Sequence, residues 1–268
     1  MLYKVMRYFK NCMFKNLFLT ILISKIYKVI NNLLLNNNID IYRENDFWVH
    51  KTSLGLVPND KPIFNPEDHV KQNFEIFFEH YLPKKNDVIL ELGAGQGCET
   101  LYISNIIGEN GKIISLEPFD EIFKILKETI KLNNLKNVIA IKKAIFNSSS
   151  KIGFSSSLDS WLGGKINHSS KNLVTTTCLD DLIREENLNK INFCKINIEG
   201  AEKYVLEKSN NFFNICENLA IECHDFCEGE EYKTFELVKN FLILKNYHVK
   251  FSSRNKFPHD KFYLYASK

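Results

Sequence analysis

Short apolar runs alternate with amphipathic segments over the last two thirds of the chain. Segments with helical spacing, such as the one that begins at Phe119 and the one over residues 230–245, separate the apolar runs. Strands alternating with helices are typical of an α/β fold with a parallel sheet. The apolar runs that predict strands cover residues 87–92, 112–117, 138–141, 193–198 and 219–222.

The alternation is interrupted once and then ends in a different pattern. Residues 147–176 are rich in Ser and Gly and contain two short β-like runs, 151–154 and 173–177, so we expect a hairpin insertion here. Two further apolar runs, 247–251 and 262–266, close the chain. They predict a final antiparallel pair.

A helix is also predicted before the first strand. Asn65 is a suitable N-cap, Pro66 suits the first turn, and Pro83 ends the apolar helical spacing that follows. Residues 41–64 contain Pro58 and a run of polar residues. We expect this segment to be irregular.

The first 38 residues form a distinct basic segment. They contain six Lys and Arg side chains and no acid, and the first carboxylate is Asp40. On a helix these basic side chains fall largely on one face, with apolar side chains opposite. Two interpretations stay open: the helix lies on an anionic membrane surface, or it packs on its own domain or a partner subunit. The chain therefore divides into a basic helical extension, residues 1–40, and a main domain, residues 41–268.

Neither a membrane span nor a cleaved signal peptide is expected in this segment. Its main charge-free apolar run, residues 16–24, is too short for a hydrocarbon core of roughly 30 Å. Lys15 interrupts the apolar stretch, and no small-residue cleavage site follows it. Any membrane contact of residues 1–38 is therefore expected to be peripheral.

The amino-acid composition indicates a class of protein and a compartment in the cell, but no particular reaction. Hydrophobic residues make up 44% of the 268 residues and charged residues 25%, which is ordinary for a soluble protein. The net charge of +3 does not favour a nucleic-acid partner. Seven cysteines without paired spacing favour the reducing cytoplasm over a disulfide framework.

A glycine-rich turn follows the first predicted strand. Gly93, Gly95 and Gly97 stand between that strand and a helix, which is the context that a nucleotide-binding turn requires. Glycines let the backbone approach a ligand closely, and a helix start presents free N–H groups. Many nucleotide sites share such a turn, so the turn alone does not identify the ligand.

Two carboxylates refine this interpretation. Glu117 ends the second predicted strand and is followed by Pro118, and an acid there can accept hydrogen bonds from both ribose hydroxyls. Glu91 precedes the glycines, where it would repel the pyrophosphate of NAD but attract the positively charged S-adenosylmethionine. The Gly-x-Gly-x-Gly spacing also favours S-adenosylmethionine. An NAD-binding oxidoreductase is the disfavoured alternative.

With these residues in place, the chain from about Phe64 to its C-terminus resembles the FkbM family of methyltransferases. The resemblance rests on residues 87–100, 112–119, 143–144, 177–182 and 195–202. The last segment, an alternating strand that ends in Glu-Gly-Ala-Glu, is the most specific. Glu222-Cys-His224 also resembles the family pattern.

The resemblance implies a Rossmann-like seven-stranded sheet with a reversed last strand, S-adenosylmethionine as cofactor, and usually an oxygen acceptor. The three glycines would surround the methionine part, Glu117 would hold the ribose, and Lys143-Ala144 would lie near the adenine. The predicted cofactor-binding residues are Glu91, Gly93, Ala94, Gly95, Gly97, Thr100, Glu117, Pro118, Lys143 and Ala144.

The predicted catalytic residues are Asn197, Glu199 and His224, because each lies at or just past a strand end, where ligands bind in open α/β sheets. The family commonly has Asp where this chain has Asn197. An amide has no useful basicity, so Asn197 is expected to orient a ligand. Glu199 and His224 are therefore the candidate bases. Glu202 is expected to complement the dipole of the following helix, and no metal site is predicted.

The expected reaction is methylation of a hydroxyl on a small-molecule, sugar or glycan acceptor. A catalytically silent module that retains the S-adenosylmethionine site is the alternative, and Asn197 is its best support. Residues proposed to line a lid over the acceptor are Trp48, His50, Ser155, Trp161, Gly163, Gly164 and His168.

Overall fold

The computed structural model describes residues 14, 16–155, 165–166, 173–206 and 209–268. Its N-terminal part contains α1 (Leu17–Leu34), β1 (Asp40–Glu44), β2 (Phe47–Thr52), β3 (Gly55–Asn59) and α2 (Pro66–Phe77). The middle part contains β4 (Val88–Leu92), α3 (Cys98–Ile107), β5 (Lys112–Leu116), α4 (Asp120–Leu132), β6 (Val138–Ile141), β7 (Ala144–Ile145), β8 (Lys151–Ser155), β9 (Lys165–Ile166) and β10 (Leu173–Thr177). The C-terminal part contains α5 (Leu179–Glu185), β11 (Phe193–Ile196), α6 (Glu202–Leu206), α7 (Asn210–Ile215), β12 (Asn218–Glu222), α8 (Phe235–Leu244), β13 (His248–Phe251) and β14 (Tyr263–Ser267).

Seven strands form the central sheet in the order β13-β14-β12-β11-β4-β5-β6. The pairs from β12 through β6 are parallel, whereas β14 is antiparallel to both β12 and β13. The predicted α/β sheet with a reversed last strand is therefore confirmed. The strand order reverses at β4, and the crevice beyond the carboxyl ends at such a point is where open α/β sheets bind ligands.

Apolar side chains cover both faces of this sheet. On one face, Leu90, Ile114 and Ile196 belong to the larger buried cluster. On the other face, Phe193 stacks on Phe78 with 4.6 Å between the ring centroids. Strands covered on both faces explain why their sequences are continuous apolar runs rather than alternating ones.

Residues 41–64, expected to be irregular, instead form most of a three-stranded antiparallel sheet, β1-β2-β3. A two-residue turn joins β1 to β2, and Asn45 adopts the positive φ that such turns require. Pro58 pairs with Val49 from the edge strand β3, where a missing N–H is tolerated. The expectation was wrong because short strands with a proline at the edge have the composition of a loop.

The predicted insertion also pairs more widely than a simple hairpin. Strands β8 and β10 are antiparallel, as expected, but β10 also pairs in parallel with β7, so the four strands run in the order β7-β10-β8-β9.

The helix expected over residues 230–245 begins later, at Phe235. The Asp225 carboxylate accepts the N–H groups of Thr234 and Phe235, both at 2.9 Å, and so sets that start.

Helix α1 makes up most of the described part of the predicted N-terminal extension, of which residues 1–13 and 15 lie outside the described residues. The helix includes Lys25 and Lys28 and is 18 residues long, with a mean hydropathy of 1.5. By length and composition alone it is able to cross a membrane. The charge-free run of residues 16–24 is thus only part of this helix, and the absence of a membrane span stays a prediction. The helix packs on its own domain through Tyr27, whose ring lies edge-on to Phe64 at 5.2 Å.

A charged side chain is buried where β11 meets β4. The Lys195 ammonium donates a hydrogen bond to the Gly93 carbonyl at 2.9 Å and lies 3.3 Å from the Glu99 carboxylate. Burial lowers the pKa of Lys195, but the charges of Glu99 and Glu91 outweigh burial and raise it. Burial also raises the pKa of the fully buried Glu91. Lys195 is therefore the cation that offsets two carboxyl groups inside the core.

We expect Lys195→Met to destabilise the fold strongly, by about 3–5 kcal/mol, because it leaves Glu91 and Glu99 without their cation. The free energy of unfolding from urea titration at pH 7 measures this. Lys190→Met is the matched control, since Lys190 is half exposed and pairs with Glu217 at the surface, and its loss should be within about 0.5 kcal/mol. Equal losses for the two variants would contradict the view that Lys195 offsets buried negative charge.

Candidate cofactor and catalytic site

A cavity of about 910 Å³ opens beyond the carboxyl ends of β4, β5, β11 and β12. Its size is within the range of small-ligand and cofactor sites. The residues after β4 and β5 form one side, the residues after β11 and β12 form another, and α2 contributes a third. The predicted site residues that line it are Gly93, Ala94, Gly95, Glu117, Pro118, Lys143, Ala144, Asn197 and Glu199.

The loop after β4 is pressed against the loop after β11. A Cβ at Gly93 would lie 1.9 Å from the Asn197 carbonyl oxygen, a distance that no side chain tolerates. The Asn197 N–H also donates to the Leu92 carbonyl at 2.9 Å. Only glycine permits this approach, and it places the Asn197 side chain on the cavity wall beside the glycine loop.

Glu117 is held in place by the backbone. Its two carboxylate oxygens accept the N–H groups of Gly95 and Phe119, each at 3.0 Å. Burial raises the pKa of Glu117 to about 7, although these two hydrogen bonds lower it. A carboxylate has about four acceptor positions. Glu117 can therefore accept two further hydrogen bonds from a ligand in the cavity.

Three predicted cofactor residues lie behind the loop instead. Glu91 is fully buried and accepts hydrogen bonds from Thr100 at 2.6 Å and from Ser115 at 2.8 Å. Gly97 precedes α3 and faces Leu126 of α4. None of Glu91, Gly97 and Thr100 lines the cavity. The sequence favoured S-adenosylmethionine over NAD because Glu91 was expected to lie beside the ligand's positive charge. In the structure Glu91 instead lies behind the glycine loop.

Asn197 carries an acceptor atom that the protein leaves free. Its Oδ1 is buried and has no hydrogen-bond partner within the described residues. A buried acceptor without a partner is costly, so its presence on a cavity wall points to a donor supplied by a ligand.

A chain of three side chains runs inward from the cavity. Glu199, on the cavity wall, lies 3.5 Å from Nε2 of His224, and Nδ1 of His224 lies 2.9 Å from the fully buried Glu202. Burial lowers the pKa of His224, but the hydrogen bonds and charges of the two glutamates outweigh it and raise the pKa to about 11. His224 is thus a cation at neutral pH, with no free position for another proton.

Glu199 also has an unusual backbone. Its φ is +57°, in the left-handed region, and Gly200 follows with a φ of +97°. The Gly200 N–H donates to Glu202 at 3.1 Å. Such strain in a residue other than glycine or asparagine is costly, and it is typical of functional sites. Here it turns the Glu199 side chain toward His224.

Sequence reasoning missed Glu222 as a site residue. It is the last residue of β12, it is buried, and it lines the cavity. Burial raises its pKa, and the nearby Glu199 charge adds to the effect, while His224 and a hydrogen bond from Tyr263 oppose it. The sequence did contain a signal for Glu222 as a site residue, because it stands at the end of a predicted strand, directly before Cys223-His224.

The other missed residues come from elements distant in the chain. Helix α2 contributes His69, Asn73 and Phe77 to the cavity wall. The segment between β13 and β14 brings His259 to the same cavity. No local motif marks these positions. On the side of the cavity near Glu117, the wall also includes the apolar side chains of Phe119, Ile122, Ile145 and Phe146.

The residues proposed for a lid have mixed outcomes. Trp48 and His50 are buried in the N-terminal sheet and do not line the cavity, so that prediction was wrong for them. Both ring nitrogens of His50 bond to backbone, at Val57 and Ile63, and burial lowers its pKa to about 4. Trp161, Gly163, Gly164 and His168 lie outside the described residues, as does the side chain of Ser155.

Solved structures share this fold. A FkbM methyltransferase from Methylobacillus flagellatus KT matches with a TM-score of 0.50 and 14% identity over 76% of this chain and 50% of that chain. This chain therefore spans half of that protein's length. Fibrillarin from Aeropyrum pernix, solved with natively bound S-adenosyl-L-methionine, matches with a TM-score of 0.46 and 12% identity over 86% of this chain and 99% of that chain.

The sheet order, the glycine loop and the acid after β5 define the class of S-adenosylmethionine-dependent methyltransferases, and S-adenosylmethionine is the cofactor. Residues 91–249, more than half of the chain, match the methyltransferase FkbM domain. The chain belongs to the FkbM methyltransferase family. The family resemblance and the cofactor expected from the sequence are thereby confirmed.

We expect S-adenosylhomocysteine to bind about tenfold more weakly at pH 6 than at pH 8. The pKa of Glu117 is raised to about 7, and ribose hydroxyls donate to its ionised form, so below pH 7 binding must first remove a proton. Calorimetric titration across this pH range measures the dependence.

Two variants isolate Glu117 as the cause. Glu117→Gln should bind weakly at every pH and lose the dependence, whereas Glu121→Gln, changed at an exposed position of α4, should match the unmodified chain. A pH dependence that survives Glu117→Gln would assign the titration to another group.

Proposed function

We propose that this chain transfers the methyl group of S-adenosylmethionine to a hydroxyl oxygen of a small-molecule, sugar or glycan acceptor. One observation carries the proposal: two carboxylates, Glu199 and Glu222, lie on the cavity wall beyond the glycine loop. A hydroxyl must lose a proton when it is methylated, and a carboxylate within reach can accept that proton.

The residues present fit S-adenosylmethionine. The position that a Cβ of Gly95 would occupy has no atom within 4 Å, so the loop leaves room for a ligand. Glu117 would hold the ribose hydroxyls, and the free Oδ1 of Asn197 would accept a hydrogen bond from the ammonium group of the methionine part. Lys143 and Ala144 would border the adenine.

When bound, S-adenosylmethionine supplies a methyl group on a positively charged sulfur. An acceptor oxygen would form a bond to that methyl carbon as the carbon–sulfur bond broke, with the electron pair of the broken bond left on sulfur. Much of the rate of such a displacement comes from holding the two reacting atoms in line. The chain's own task is to position the acceptor hydroxyl and to take its proton.

Glu222 is the better-suited base of the two carboxylates. Its pKa is raised by burial, which brings it closer to the working pH and makes it more basic than an exposed glutamate. Glu199 pairs with the cationic His224, which fixes the direction of its side chain. We assign Glu199 to orienting the acceptor and His224 to positioning Glu199. This replaces the sequence-based view of His224 as a base.

The character of the cavity wall supports a neutral, hydroxyl-rich acceptor. Carboxylates accept hydrogen bonds from several hydroxyls but repel phosphate groups, which disfavours nucleic acid as the substrate. Tyr204, Phe226 and Tyr232 add aromatic surface to the same cavity, as is usual in small-molecule sites.

A cytoplasmic location also remains part of the proposal. The six cysteines in the described part of the chain are free thiols, and four of them are buried. Burial raises the pKa of the thiols of Cys194 and Cys223, which keeps them unreactive. Free cysteines are typical of proteins in a reducing compartment.

An acceptor screen tests the reaction type. The purified chain is incubated with S-adenosylmethionine and panels of alcohols, monosaccharides and oligosaccharides, with matched amines and thiols, and S-adenosylhomocysteine release is measured. Turnover of hydroxyl acceptors supports the proposal. Turnover confined to amines or thiols contradicts it. Intact S-adenosylmethionine binding without any turnover favours the silent binding module instead.

With the acceptor from this screen, we expect Glu222→Gln to lower kcat by about 10²–10⁴-fold, because the amide cannot take a proton. The Kd for S-adenosylhomocysteine should not change. Glu199→Gln should mainly raise the KM for the acceptor. Glu236→Gln, at an exposed position of α8, is the control. A Glu222→Gln variant with full kcat would exclude Glu222 as the base.

A further inference from the structure

Helix α1 is turned with its polar side chains inward and its apolar side chains outward. Its three buried residues, Thr20, Ser24 and Asn31, are all polar. On the opposite side, Phe18 is 76% exposed, Leu22 48% and Leu33 78%. A helix on the surface of a water-soluble domain normally has the reverse arrangement.

The exposed apolar side chains form one continuous stripe. Phe18, Leu22, Val29 and Leu33 are spaced by four, seven and four residues, which places them on one face of a helix. Ile26 is also exposed beside this stripe. A contiguous apolar patch of this kind marks a contact surface rather than a water-facing one. We call these five residues the outer face of α1.

Specific contacts hold the opposite side of α1 on the main domain. The Asn31 amide donates to the Phe64 carbonyl, and the Asn32 side chain exchanges two hydrogen bonds with the backbone of Ile39, at 2.6 and 2.9 Å. Lys28 pairs with Asp40 at 2.6 Å. A helix crossing a bilayer would have to give up these contacts. The arrangement therefore fits a helix that lies parallel to a surface.

The charge distribution indicates which kind of surface this is. Six of the 35 Lys and Arg side chains, but none of the 32 Asp and Glu side chains, precede Asp40. Lys25 is exposed at the border of the outer face. In a symmetric dimer the same patch meets itself, so a second copy would bring these positive charges together. Anionic lipid headgroups would instead attract them.

We propose that the outer face of α1 inserts into an anionic phospholipid bilayer, with the helix lying in the plane of the interface and the main domain held against its inner side. The apolar side chains bury in the acyl boundary, and the exposed Lys25 at the border of the outer face contacts the headgroups. This inference does not depend on which acceptor the cavity binds.

Vesicle flotation of the full chain tests the proposal. Vesicles of phosphatidylcholine alone are compared with vesicles that also contain about 30% phosphatidylserine, an anionic lipid. We expect the chain to float with the anionic vesicles, at least tenfold less with the neutral ones, and less at 0.5 M than at about 0.1 M salt, where screening is weaker. Absence of flotation with anionic vesicles would overturn the proposal.

A pair of triple variants separates the outer face from general stickiness. Phe18→Gln/Leu22→Gln/Leu33→Gln should reduce binding at least tenfold, because glutamine keeps the helix but removes the apolar stripe. Leu82→Gln/Leu237→Gln/Leu244→Gln changes three equally exposed apolar residues elsewhere and should bind like the unmodified chain. S-adenosylhomocysteine binding and far-ultraviolet circular dichroism check that both variants remain folded.

Two results of this comparison would contradict the proposal. Equal flotation of the two triple variants would mean that the outer face is not the contact surface. A dimer of the unmodified chain in light scattering that the first triple variant dissolves, together with no flotation, would assign the outer face to a second copy of the chain.

Discussion

The contact between Gly93 and the backbone of Asn197 is the constraint on which the site depends. It joins the loop that carries the cofactor residues to the loop that carries Glu199, and it leaves no space for a side chain between them. Lys195 fixes the same junction from below, because its ammonium bonds to the Gly93 carbonyl. Two segments about one hundred residues apart are thus held in one geometry.

Buried cations make the acidic character of the site possible. Lys195 offsets Glu91 and Glu99 beneath the glycine loop, and His224 offsets Glu199 and Glu202 beneath the acceptor side. Burial without such partners raises the pKa of a carboxyl group. Burial raises the pKa of Glu222, while the charge of His224 and a hydrogen bond from Tyr263 oppose that rise, so Glu222 binds a proton more readily than an exposed glutamate does.

The sequence predicted the central sheet because strands covered on both faces are continuous apolar runs. It predicted much of the cavity wall because ligands bind at strand ends in such sheets, and Glu117 and Asn197 stand at strand ends. The sequence did not reveal that the Glu91 side chain is fully buried behind the glycine loop, because a position in a motif does not determine the direction of the side chain. His69 and His259 were missed because only the tertiary fold brings them to the cavity.

Helix α1 shows a further limit of periodicity. A helical pattern identifies two faces, but not which of them meets the protein. Here hydrogen bonds from Asn31 and Asn32 decide the question, because backbone carbonyls of the domain near Phe64 and Ile39 need donors. Satisfying those polar groups turns the apolar face away from the domain. The exposed apolar face is therefore a consequence of how the helix is attached to the domain.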